Sequence, residues 1–303
     1  FKVHPMYDDF STPTFDGKHN LIKGGSWIST GNEATIHSRY AFRRHFYQHA
    51  GFRYIQSDES PKIQYAEYET DEEVTRSCEE NWGDSFAPER SLPLQLADMA
   101  RHKRILDLNA DTGRLAFELA RTHLDVTALD FTARMIRVPI QLQEQGYIRY
   151  TMKDEGDLVF YRDVVLDDFE LTAVRNRIIF MQADAMNLKP NYTGYDLIIA
   201  SALLEELSDP GFFLSQIHTR LNDSGFLLLA SSYAWDLHKT KRDKWPGGFK
   251  QDGEPVTSLE GIEKILEPNF TLHAEPLDIR RTIKKSSRLT TQEMMQVTIW
   301  RKI

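Results

Sequence analysis

The sequence predicts an α/β protein built on a doubly wound, mostly parallel sheet, with an antiparallel strand near its end and an irregular segment ahead of it. Three observations lead there. Short apolar runs alternate with helical patterns across residues 104–230, as expected of strands buried on both faces and joined by crossover helices. A turn closed by glycine follows the first run, at Asp107-Leu108-Asn109-Ala110-Asp111-Thr112-Gly113. A late segment, Met295-Gln296-Val297-Thr298-Ile299-Trp300, alternates instead, the habit of an antiparallel strand at or near a sheet edge.

Taken in order, residues 1–56 form a slightly basic head that is rich in Gly, Ser, Thr, Asn and aromatics, with no clear period. It reads as loop-rich, and about 55 such residues lack the apolar area to fold well alone, so it is expected to be the end of a cut domain. Residues 57–91 are an acidic connector with a leading helix: between 58 and 89 there are eleven acids against two bases, more negative than the whole chain's net charge of -8. Such a run reads as a solvated face or linker. Residues 92–303 are nearly neutral and hold the sheet.

Within that body the strands are Arg104-Ile105-Leu106-Asp107-Leu108, Val126-Thr127-Ala128-Leu129-Asp130, Ile178-Ile179-Phe180-Met181, Leu197-Ile198-Ile199-Ala200 and Phe226-Leu227-Leu228-Leu229-Ala230. Helical faces follow the first two, and a helix runs from Phe212 to Leu221 after the fourth. Residues 149–165, broken at Asp154-Glu155-Gly156-Asp157, read as an inserted hairpin. A helix from Leu259 to Leu266 and a short run, Phe270-Thr271-Leu272, precede the alternating strand.

Composition limits the function. A hydrophobic fraction of 41% supports a core. The acidic balance argues against a nucleic-acid backbone as partner, and no apolar run approaches the roughly 18 residues of a membrane span. The single cysteine, Cys78, excludes an intrachain disulfide; with no signal pattern at the N-terminus, a cytoplasmic location is expected. His45 and His49, four apart, lack a third ligand, so no metal site is expected.

In an open parallel sheet the ligand sits beyond the carboxyl ends of the strands, where the strand order reverses. The turn from Asp107 to Gly113 is neither a dinucleotide fingerprint nor a phosphate-binding lysine loop. It resembles the D-x-G-x-G-x-G turn of Rossmann-like class I S-adenosylmethionine-dependent methyltransferases, with Asn109 and Asp111 where the first two glycines would stand. Asn and Asp are the non-glycine residues that best tolerate positive φ, so the turn is expected to survive. Asp130 ends the second strand, where a carboxylate accepts from ribose hydroxyls, and Phe131 is placed to pack on the adenine. The resemblance implies a further acid facing the adenine amino group, which assigns Asp184 with Ala185, and a site floor at Ser201. The cofactor implied is S-adenosylmethionine.

A second resemblance covers nearly the whole chain. Gly24-Gly25-Ser26-Trp27, Ser38-Arg39-Tyr40-Ala41-Phe42-Arg43-Arg44 and Ala50-Gly51-Phe52-Arg53 look like the end of a formylglycine-generating-enzyme-like domain. Residues 195–210, Ser232-Tyr233-Ala234-Trp235, Trp245-Pro246-Gly247-Gly248-Phe249 and residues 252–261 resemble the later part of the ovothiol biosynthesis family, in which 5-histidylcysteine sulfoxide synthase is fused to 4-mercaptohistidine N-methyltransferase. That resemblance implies methyl transfer to the imidazole of a thiohistidine. It also implies an N-terminal synthase domain of the same parent protein as partner, and no synthase activity in this chain alone. Tyr233, Trp235 and Trp245 are candidates for the substrate wall, since aromatics suit a sulfonium and a flat imidazole; packing of the loop on the body is the equal alternative. Glu205 and Glu206 follow the fourth strand, and Glu205 is a candidate acceptor for the substrate's ammonium or ring N–H. The residues name no catalytic group. Two other readings stay open: a non-catalytic scaffold with a decayed cofactor turn, and a methyltransferase on another small molecule.

Overall fold

The computed structural model describes residues 19–23, 39–43, 71–83, 92–100 and 103–303. In the head, β1 (His19–Lys23) pairs antiparallel with β2 (Arg39–Arg43), a hairpin that the loop-rich reading did not include. His45 and His49 lie outside the described residues.

The body begins with helices α1 (Asp71–Trp82) and α2 (Leu92–Met99). Strand β3 (Arg104–Leu108), helix α3 (Arg114–Leu119), β4 (Asp125–Asp130) and α4 (Ala133–Gln145) follow. The inserted hairpin is β5 (Tyr147–Lys153) with β6 (Val159–Val165), broken at the expected turn. Next come β7 (Ile178–Gln182), β8 (Tyr195–Ser201), α5 (Pro210–Gln216) and β9 (Leu221–Ser231). The chain closes with a short hairpin, β10 (Phe249–Gln251) and β11 (Glu254–Val256), then α6 (Ser258–Leu266), β12 (Phe270–Leu272), β13 (Leu277–Ser286) and β14 (Leu289–Lys302).

The central sheet runs β12-β14-β9-β8-β3-β4-β7, with β13 also paired to β14. The strands from β9 through β7 are parallel, and β14 is antiparallel to β9. This is the expected doubly wound, mostly parallel sheet. Two apolar layers cover it: Phe117, Leu142 and Ile105 belong to one, Trp300, Tyr195 and Leu266 to the other. Full burial of one such side chain stabilises by about 1.5–3 kcal/mol. The helix expected from Phe212 to Leu221 is shorter, because α5 ends at Gln216, a 3-10 turn takes Ile217–Arg220, and β9 already starts at Leu221. Among the described residues no helix is long and apolar enough to cross a membrane.

Strand order reverses at β3, whose neighbours are β4 on one side and β8 on the other. The turn from Asp107 to Gly113 therefore stands at the switch point. β14 pairs with β9 only over Gln296–Arg301 and with β13 over Leu289–Val297. The β13–β14 hairpin consequently runs on past Ser231, the carboxyl end of β9, and forms a wall above the sheet.

Helix α1 joins that wall to the turn, and here the solvated reading of the acidic segment is corrected for Glu79 and Glu80, while Glu72 is exposed and residues 58–70 and 84–89 lie outside the described residues. Glu79 is fully buried: it accepts from the Tyr150 hydroxyl at 2.7 Å and pairs with Lys284 at 3.4 Å and Arg162 at 3.6 Å. Glu80 accepts from Arg281, at 3.0 Å for Nη2 and in a shorter contact for Nε. A local surplus of acids looks solvated when only neighbours in sequence are counted. These acids are neutralised by bases some 80 to 200 positions away. Glu79→Gln keeps the shape and loses the charge pairing, so it is expected to destabilise the domain by about 1–3 kcal/mol, read from the urea midpoint. An unchanged midpoint would mean the buried pairs contribute nothing.

Candidate functional site

The switch-point turn keeps its shape without the first two glycines. Asn109 and Asp111 take φ of 77° and 55°, and Gly113 takes 89°. The backbone is secured by Asn109 N and Ala110 N, which both donate to Leu129 O, at 2.9 and 2.8 Å. Asp111 N donates to Asp130 Oδ2 at 2.9 Å, and Thr132 N to Asp130 Oδ1 at 2.8 Å. Asp130 thus braces the turn from the end of β4 while each of its oxygens keeps further acceptor capacity.

The two departing side chains have found new partners. Asn109 Nδ2 donates across the sheet to Ser201 O at 3.0 Å and lies 3.3 Å from Ala202 O. Asp111 turns the other way, towards α1, and accepts from Ser77 Oγ and from Asn81 Nδ2. Trp82 Nε1 donates to Thr112 O at 3.0 Å. The acidic helix and the substituted turn are therefore one unit, although in the sequence they stand apart as separate features.

A cleft opens beside the turn, and Asp107, Asn109, Asp111 and Ser201 line it together with Glu80 and Arg281. Helix α2 adds an apolar side through Leu92, Pro93 and Leu96. Asp107 is the unusual member. It is 1% exposed, and neither carboxylate oxygen has a hydrogen-bond partner. Burial, then the charges of Asp130 and Asp111, push its pKa up to about 8. Burial likewise raises Asp130 to about 7, opposed by the two backbone N–H donors. Asp111 is raised as well, by burial and then by Glu80. So many acids in one place are costly unless cations meet them.

The remaining expected residues fall in two other places. Phe131 follows β4 and is 51% exposed, an apolar ring on the surface beside Asp130. Asp184 caps the short 3-10 helix Ala185–Asn187 after β7 by accepting from Met186 N at 2.9 Å. Phe131, Asp184 and Ala185 are not among the residues lining the cleft beside the turn. Glu205, Tyr233, Trp235 and Trp245 gather instead beyond β8 and β9. Glu205 is buried, not an exposed helix-end acid: its Oε1 accepts from Ser231 Oγ, Ser232 N, Ser232 Oγ and Tyr233 N, and its Oε2 has no partner. Glu206 is the surface neighbour, paired with Lys239. Trp235 and Trp245 stack at 6.5 Å, and their indole N–H groups donate to Ser258 Oγ and Thr240 O.

Sequence reasoning missed Ser77, Glu80 and Arg281. Ile279 and Ile283 alternate around Arg281 within residues 277–286, the one signal that a strand lay there; the bases among them masked it.

A family model described as a methyltransferase domain matches residues 84–270, well over half of the chain, and the chain belongs to that family. Fold and family together define the class: an S-adenosylmethionine-dependent methyltransferase domain. No curated protein matches the chain. Among solved structures it is similar to an S-adenosylmethionine-dependent methyltransferase from Methanosarcina mazei (15% identity, 69% of this chain and 97% of that one, TM-score 0.43). It is also similar to the N-methyltransferase NodS from Bradyrhizobium japonicum, crystallised with S-adenosyl-L-homocysteine (16% identity, 69% and 83% covered, TM-score 0.43), and to a putative methyltransferase from Bacillus halodurans (14% identity, 69% and 96% covered, TM-score 0.43).

The cleft fits this cofactor. Asp107 offers two unpartnered acceptors to an ammonium, and the surrounding acids suit a ligand that carries a sulfonium as well.

Proposed function

We propose that this domain moves the methyl group of S-adenosylmethionine to an imidazole nitrogen of 4-mercaptohistidine in ovothiol biosynthesis. We propose also that an iron-dependent sulfoxide synthase domain of the same parent protein is its partner. The observation that carries the methyl-transfer half is the unpartnered, buried carboxylate of Asp107 at the switch-point turn. The choice of acceptor is supported by the resemblance of residues 24–53 and 232–261 to the ovothiol family. The retained left-handed φ at Asn109 and Asp111 favours a working turn over a decayed scaffold.

When bound, the cofactor supplies an electrophilic methyl on a sulfonium. The chain's part is alignment, with nucleophile and methyl roughly 3–3.5 Å apart. Neutral imidazole carries its own lone pair, so no strong base is needed. The acceptor's sulfur is a better nucleophile than its nitrogen and must be held away. Glu205 is suited to hold it: Oε1 is fixed by its four donors, and Oε2 is left to accept a ring N–H or the ammonium.

The test is to incubate the protein with 4-mercaptohistidine and S-adenosylmethionine and weigh the product. A gain of one methyl is expected. An unshifted mass with calorimetric cofactor binding would point to another small molecule, and no heat at millimolar cofactor would sink the enzyme reading. Glu205→Gln preserves the Oε1 acceptor and turns Oε2 into a donor. It is expected to raise the acceptor's KM by roughly 10-fold or more, the cost of one lost charged hydrogen bond. An unchanged KM would remove Glu205 from the substrate site.

A further inference from the structure

We propose that Arg281 anchors the α-carboxylate at the methionine end of the cofactor, opposite Asp107, which takes the ammonium. Arg281 stands on β13, outside residues 84–270 that the family model covers. It nevertheless lines the same cleft as Asp107, Asn109 and Ser201. Its side chain is only 17% exposed. Nε and Nη2 donate to the two oxygens of Glu80, which uses two of the five guanidinium N–H donors. Nη1 lies 3.7 Å from Glu293 Oε2, an ion pair too long for a hydrogen bond. A guanidinium gripped along one edge presents its other edge as a fork for a second carboxylate.

Charge requires such a group. The turn from Asp107 to Gly113 holds no base. Among the described residues that line the cleft, Arg281 is the one cation, against Glu80, Asp107 and Asp111. A carboxylate entering that cleft meets only repulsion unless Arg281 receives it. An α-amino-acid end needs one acceptor and one donor group in the same cleft, and Asp107 and Arg281 are that pair. Glu80 is then a positioning residue: it fixes the guanidinium edge and links α1, the turn and the β13–β14 wall around one ligand group.

This inference rests on the cofactor reading, and the test keeps the two apart. The full chain is titrated calorimetrically with S-adenosylhomocysteine and with its decarboxylated analogue, which keeps the nucleoside, the thioether and the amine. The wild type is expected to bind the analogue about 10- to 100-fold more weakly, the size of a lost charge-assisted contact. Arg281→Met is expected to lose the preference for the carboxylate, binding S-adenosylhomocysteine no more tightly than the analogue, and Arg281→Lys to fall between. A urea melt of each variant reports its folding. Equal affinity of the wild type for the two ligands overturns the anchor, whatever the variants do, and returns Arg281 to a structural partner of Glu80 or a contact of the acceptor. Binding of neither ligand overturns the cofactor reading and the anchor with it.

Discussion

Gly113→Ala is expected to destabilise the domain by about 2–5 kcal/mol and to abolish cofactor binding. Two costs add. The residue sits at φ +89°, where an L side chain strains the backbone by roughly 1–2 kcal/mol. The new methyl would also stand 2.5 Å from Pro139 Cβ of α4 and 3.2 Å from the Phe180 ring of β7. Neither neighbour is the loose end of a flexible chain, so overpacking costs roughly 1–3 kcal/mol more. Gly253 supplies the control. It has φ +90° in the β10–β11 turn, with nothing within 4 Å of the added methyl. Gly253→Ala is expected to lose the strain cost alone. Urea midpoints at constant slope separate the two. If both variants shift by the same amount, close packing of the third turn glycine is not what the site needs, and the switch-point turn is less constrained than the geometry implies.

The same comparison explains what the sequence made legible. The third turn position admits only glycine because a helix and a strand press on it, and that glycine is present. The first two positions need only a left-handed backbone, which Asn109 and Asp111 supply. The turn was therefore readable from residue types, as were the strands β3, β4, β7, β8 and β9 from their apolar runs. The second role of each substituted residue was not readable. Asp111 needs Ser77 and Asn81, and Asn109 needs Ser201, contacts that arise only once the chain has folded. For the same reason the acids of α1 looked solvated: Glu79 and Glu80 are matched by Lys284 and Arg281. Those bases sit on β13, whose charged alternation lacked the continuous apolar run that marked the other strands. Local pattern locates buried strands well. It does not locate a wall whose bases are set by partner acids on distant parts of the chain.

Asp107→Asn is expected to stabilise the cofactor-free domain while destroying its response to the cofactor. The Asp107 carboxyl titrates near 3.8 in the unfolded chain and near 8 in the fold, where burial comes first and the Asp130 and Asp111 charges second among the causes. Between those values the folded state holds a proton that the unfolded state has released, so stability falls as pH rises. The contribution is whole below the unfolded value and is lost as pH rises through the folded one. The amide that replaces the carboxyl has no proton to lose, so this part of the decline should vanish. The variant is then more stable than the wild type at pH 8 by a few kcal/mol, on the order of one pKa unit's 1.36 kcal/mol taken several times. Asp130, raised to about 7, keeps a smaller decline in both proteins. Cofactor acts oppositely on the two. In the wild type an ammonium beside Asp107 favours the ionised carboxylate, so binding releases a proton below pH 8, tightens as pH rises towards it, and shows a heat that depends on buffer ionisation. In the variant the share of the proton release and of the pH dependence that belongs to Asp107 is gone, and affinity falls most where the wild-type carboxylate is ionised. A variant less stable than the wild type at pH 8 would show that Asp107 has a hidden partner in the fold. A variant that binds cofactor with unchanged affinity would remove Asp107 from the site. Either result would separate the turn's shape from its charge, whereas the joint outcome, gained stability with lost binding, is what a buried carboxylate kept for a cation requires.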